Sequence, residues 1–139
     1  MTDGARDGLT RVLARDFDDV LAALPAALKT EGFGVLTEID MQRTLDQKLG
    51  VTFRRYRILG ACNPKLAHEA LTSDVTVGLS LPCNVIAYEG DDPATTTVMA
   101  IDPADTVAAA NPALAPVAGE VRAKLARALA ALDGGVGHG

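Results

Sequence analysis

Apolar positions alternate loosely from Leu9 to Ala14, which predicts a short first strand after a polar terminus at residues 1–8 that reads as disordered. Asp16 then stands as an N-cap before Phe17, Val20, Leu21, Leu24 and Leu28, spaced as one face of a helix. Pro25 falls inside that face. It removes the hydrogen bond to the carbonyl of Leu21, so a kink or break is expected there. Gly32 is placed to end the helix. The run Phe33–Ile39 reads as a mostly buried strand, and Asp40 as a second N-cap. Met41, Leu45 and Leu49 come next as a narrow stripe that Gly50 stops.

The second half repeats the alternation of strand and helix. Phe53–Ala61 is the next strand, and Asn63-Pro64 opens a helix with a capping side chain followed by proline in the first turn. Leu66, Ala67, Ala70 and Leu71 form that helix's apolar face. Residues 74–81 fit a helical turn or a loop equally. Pro82–Glu89 and Thr95–Ile101 read as a hairpin around the turn cluster Gly90-Asp91-Asp92-Pro93. Asp102-Pro103 repeats the helix-start device, residues 110–116 form a connector, and Val117, Val121, Leu125, Leu129 and Leu132 mark a closing helix. Gly134 and Gly135 are expected to end it, leaving a flexible tail at 134–139.

This order predicts one α+β domain over residues 9–133, a two-layer fold with a single mixed β-sheet of about five strands and helices packed mainly on one face. The other face is left apolar, because Phe33–Ile39 and Val85–Tyr88 are apolar on both sides, and a homodimer is one way to cover it.

Composition narrows the partners. The net charge of −5 argues against nucleic acid, which asks for a clustered Lys/Arg surface; Arg54, Arg55 and Arg57 are the one local basic cluster. Arg55 and Arg57 share a strand face and could grip an anion, although charge guarding a solvated edge strand accounts for them too. No apolar run approaches the roughly 18 residues of a membrane span. Met1-Thr2-Asp3-Gly4 lacks a signal pattern, so a soluble cytoplasmic protein is expected, with its two cysteines as thiols.

Those cysteines frame the candidate site. Cys62-Asn63-Pro64 closes one strand and Pro82-Cys83-Asn84 opens another. If the strands ending at Ile39 and Ala61 run parallel and the one starting at Cys83 runs against them, Glu38, Asp40, Cys62, Asn63 and Cys83 converge at one sheet edge. The helix from Pro64 would point free amides there, favouring an anion and a lowered thiol pKa. Each residue also has a purely structural role open to it: free cysteines pack, Asn63 and Asp40 cap helices, and Glu38 reaches solvent. His68 lies off its helix's apolar face, where side chains are solvated. The Cys62, His68 and Cys83 spacings match no zinc pattern, and there is no phosphate-binding glycine loop or nucleophile elbow.

Four stretches, EGFGVLTEIDMQRTLDQKLG, FRRYRILGACNPKLAHEAL, LSLPCNVIAYE and AIDP, together resemble the domain of unknown function 302, a widespread bacterial and archaeal family. The resemblance covers about residues 10–132 and implies a compact α+β domain that forms homodimers. It implies no catalytic role, because the family's function is unsettled. The family pattern corresponds to Glu38, Cys62, Asn63, Pro64, Pro82 and Cys83, and departs at Pro25.

Two functional readings are open. In one, a pocket at the strand-end edge with Cys62, Cys83 and Glu38 binds a small ligand, a sulfur species or a soft metal such as Cu(I), as a binding or thiol-redox module. In the other, the cysteines are core residues of a structural or assembly domain. Cofactor and metal stay open, and so does enzymatic activity: no nucleophile has a placed base.

Overall fold

The computed structural model describes residues 8–136; of the polar terminus expected to be disordered (residues 1–8), residues 1–7 lie outside the described residues, as does the end of the expected tail (137–139). The chain order is β1 (Thr10–Leu13), α1 (Phe17–Lys29), β2 (Gly34–Asp40), α2 (Met41–Leu49), β3 (Tyr56–Cys62), α3 (Pro64–Ser73), β4 (Cys83–Glu89), β5 (Thr96–Ala100) and α4 (Ala115–Val136). Short 3₁₀ segments fill Val75–Ser80, Pro103–Asp105, Val107–Ala110 and Pro112–Leu114. The fold is α+β, with one five-stranded sheet in the order β1-β5-β4-β3-β2.

Every neighbouring pair in the sheet is antiparallel. The mixed sheet expected from sequence required β2 and β3 to run parallel, which needs a crossover helix packed on the sheet. Helix α2 buries none of its residues, so it does not make that crossing, and the chain turns back beside β2 instead. A bulge between Val35 and Thr37 shifts the register there.

Helices α1 and α4 cover one face. Phe17, Val20, Leu24 and Leu28 of α1 and Leu125, Ala128, Leu129 and Leu132 of α4 pack on Leu59, Ala61, Val85, Ala87, Val98 and Ala100, which alternate along β3, β4 and β5 as a half-buried sheet requires. Asp16 caps α1 by accepting from the Asp18 amide at 3.0 Å. Helix α1 is continuous through Pro25, against expectation. Pro25 lies on the exposed side of the helix, and the buried face holds the helix together. Strand β2 is also not the buried strand expected: it lies at the sheet edge, with Leu36 65% and Ile39 45% exposed. Strand β3, by contrast, is flanked on both sides, so its Arg57 guards no edge.

Helix α4 runs through Gly134 and Gly135. Gly50, by contrast, ends α2 in the left-handed backbone at φ +66°. Asp102-Pro103 opens only a single 3₁₀ turn. Among the described residues no helix is long and apolar enough to cross a membrane.

Candidate functional site

The antiparallel register splits the five candidate residues into two groups. Asp40 pairs with Arg57 and Glu38 with Leu59, while Gly34 pairs with Cys62 at the other end of the same two strands. Five residue steps on β3 separate Asp40's partner Arg57 from Cys62, about 17 Å at the usual strand rise, and three separate Glu38's partner Leu59 from it, about 10 Å. Glu38 and Asp40 therefore do not meet the cysteines, and the expected five-residue convergence fails.

At the charged end Arg57 is ion-paired with both Glu38 and Asp40, the latter at 3.3 Å. Asp40 also caps α2 by accepting from the Arg43 amide at 3.0 Å. Arg55 is held separately. It donates to Glu89 at 3.0 Å, lies 3.4 Å from Asp16 and 3.3 Å from Asp18, and sits 5.0 Å from the centroid of the Phe17 ring. The Arg55 amide and guanidinium hold the Glu89 carboxyl below its ordinary range. These arginines are each met by carboxylates, so the anion grip open to them from sequence is already filled by the protein itself.

Cys62, Asn63 and Cys83 do come together. Strand β4 runs against β3, and Cys83 pairs with Ala61, the neighbour of Cys62. Cys62 is half-buried and Cys83 buried, and both are free thiols. Burial pushes the Cys83 thiol up to about 11, and the neighbouring Cys62 adds to the shift. A thiol in that state is neutral at physiological pH, the reverse of the lowered pKa expected at a helix start. Asn63 is fully engaged: its carbonyl oxygen accepts from the Leu66 amide at 3.3 Å, capping α3, and its amide donates to the Glu31 carbonyl at 3.2 Å. His68 is exposed on α3. Among the described residues no three His, Cys, Asp or Glu side chains cluster as a metal-holding group.

The cysteines line a cavity of about 60 Å³ between the sheet end, α3, α4 and the 3₁₀ segments. Its walls include Ala67, Ala70, Val77, Leu81, Leu114 and Ala118. No charged side chain lines it, and its polar members are spent on the fold: Ser80 accepts from the Val107 amide, and Thr106 donates to the Pro103 carbonyl. Sequence reasoning missed the far wall. The signal was present as a series of capping side chains, Asp74, Asp102, Thr106 and Asn111, each of which begins a short turn rather than a helix.

The buried edge of this wall carries an ion pair that sequence did not indicate. Asp102, 5% exposed, accepts from Arg122 of α4 at 3.1 Å and from the Ala104 amide at 3.0 Å, fixing the 3₁₀ region to the closing helix.

No curated protein matches the chain. Among solved structures it is similar to the crystal structure of an uncharacterized conserved protein DUF302 from Bacillus stearothermophilus, at 30% identity and a TM-score of 0.77, over 87% of this chain and 95% of that one. The family model described as "Domain of unknown function DUF302" matches residues 9–132. That span takes in both cysteine motifs, the whole sheet and most of α4, and the chain belongs to the DUF302 family.

Proposed function

We propose that this chain is a binding domain for a small, uncharged, mainly apolar ligand held in the cavity against Cys62 and Cys83. The observation that carries the reading is the lining: a cavity of about 60 Å³ with no charged wall residue and its polar side chains already hydrogen-bonded within the fold. A charged ligand would lose its hydration there and gain nothing in return. The space exceeds the about 15 Å³ that holds one water and falls short of the about 150 Å³ that admits benzene, so the ligand, or its inserted end, is slim. The Cys83 thiol serves as a neutral, polarisable wall atom, since burial keeps it protonated.

A homodimer accompanies this reading. The sheet face opposite α1 and α4 carries Val12 and Ile39, 68% and 45% exposed, beside the half-buried Ile58, Ile86 and Met99. A second copy laid face to face would cover it. Sedimentation of wild type against Ile86→Lys tests this part, and a wild-type monomer rejects it.

The binding reading is tested with a homologous series of straight-chain alcohols, monitored by amide chemical shifts and thermal midpoint. Shifts at Ala67, Ala70, Val77 and Ala118, growing with chain length, support it. Shifts confined to the open sheet face, or none, reject it.

A further inference from the structure

We propose that the 3₁₀ segments Val75–Ser80 and Val107–Ala110 form a gate to the cavity, latched by the hydrogen bond from Asn111 to Asp74. This rests on the cavity being the binding site, and it concerns how that site is reached.

The cavity's walls differ in how firmly they are held. The sheet end and α4 belong to the main core, through Ala61, Cys83, Leu125, Ala128 and Leu129. The 3₁₀ wall belongs to a separate small cluster of Ala70, Val77 and Leu114. Val77 is the one buried residue of Val75–Ser80, whereas Val75 is 78% and Leu79 87% exposed. Val107–Ala110 buries none of its residues. Short 3₁₀ turns have poorer hydrogen-bond geometry than α-helix, and segments with few buried apolar contacts open at the low end of a protein's free-energy range. The weakest wall is therefore the one made by these two segments.

Two polar ties hold them across the cavity. The Val107 amide donates to Ser80 Oγ at 3.2 Å. Asn111 Nδ2 donates to Asp74 Oδ2 at 2.8 Å. The second tie joins the starts of two turns, because Asp74 Oδ1 accepts from the Thr76 amide at 3.0 Å and Asn111 Oδ1 accepts from the Ala113 amide at 3.0 Å. Asp74 thus fixes Val75–Ser80 with one oxygen, Asn111 fixes the turn Pro112–Leu114 that follows Val107–Ala110, and the second atom of each joins the start of one gate segment to the end of the other. Breaking this tie leaves the segments joined by the Val107–Ser80 hydrogen bond, with both turns still capped.

Cys83 reports the gate, since it is buried and lines the cavity. The experiment is iodoacetamide labelling of the native full chain, resolved at Cys83 by peptide mass spectrometry. Asn111→Asp keeps the capping oxygen and sets a carboxylate against Asp74, and it raises the Cys83 labelling rate about tenfold, the scale of one charge-assisted hydrogen bond. The exchanged pair, Asp74→Asn with Asn111→Asp, restores a donor and an acceptor and returns the rate to that of wild type. Repeating the labelling at low urea separates local opening, which is insensitive to urea, from global unfolding. An unchanged rate in Asn111→Asp, a double variant as fast as the single one, or a urea dependence equal to that of global unfolding overturns the proposal. No ligand is needed, so a failure of alcohol binding leaves this outcome intact.

Discussion

Pro82 lies directly over Gly60. A β-carbon at Gly60 would stand 2.5 Å from Pro82 Cγ and 2.3 Å from Thr37 Oγ1, both closer than atoms can approach. Gly60 pairs with Asn84 on β4, so the residue that opens the second cysteine motif packs onto the strand that ends in the first. The two motifs are neighbours because this position has no side chain. Gly60→Ala is expected to destabilise the fold by about 1–3 kcal/mol, as overpacking does. Urea denaturation measures it, and adding Pro82→Ala should recover part of the loss. Full stability in Gly60→Ala would show that the ring moves aside freely.

The Cys83 thiol supplies a pH test. Its ordinary value of 9.0 rises to about 11 in the fold, so the folded state holds the proton more tightly than the unfolded one. The resulting stabilisation is fully present below pH 9 and is lost as pH rises through about 11. A displacement of that size corresponds to at most about 2.7 kcal/mol. Wild type should therefore lose stability between pH 9 and 11 more steeply than Cys83→Ala, whose other titrating groups are the same. Parallel slopes for the two proteins would mean that Cys83 meets water.

Much of this architecture was legible because local signals and packing agree. The face Phe17, Val20, Leu24, Leu28 announced α1, and Asn63-Pro64 announced α3 with its cap. The turn cluster Gly90-Asp91-Asp92-Pro93 between two apolar runs marked the hairpin of β4 and β5. Strand direction was less legible. An apolar run such as Val35-Leu36 with a helix after it suits a parallel crossover or an antiparallel return, and only the failure of α2 to bury a side chain decides between them. Two of the five candidate residues were misplaced for that one reason: reversing β3 against β2 carries Glu38 and Asp40 to Arg57 and away from Cys62. The cavity was invisible for another reason. Its far wall comes from residues 75–81 and 106–114, where the chain changes direction every few residues and no hydrophobic period can build up.

The separation of the two sheet ends gives a paired prediction. Arg57→Gln removes the partner of Glu38 and Asp40 on a surface where the residue is 30% exposed. An ion pair of that exposure contributes about 1 kcal/mol or less, so stability should fall little, and binding of straight-chain alcohols should be unchanged. Ala67→Leu acts at the other end. Ala67 is half-buried in the cavity wall on α3, where a longer side chain has space to enter and leucine is as good a helix former as most. Filling the cavity should leave stability within about 1 kcal/mol of wild type while abolishing the alcohol-dependent shifts at Val77 and Ala118. Calorimetry and amide spectra of the two variants, side by side, separate the ends. If Arg57→Gln weakened alcohol binding and Ala67→Leu did not, the ligand would belong at the charged end with Glu38 and Asp40.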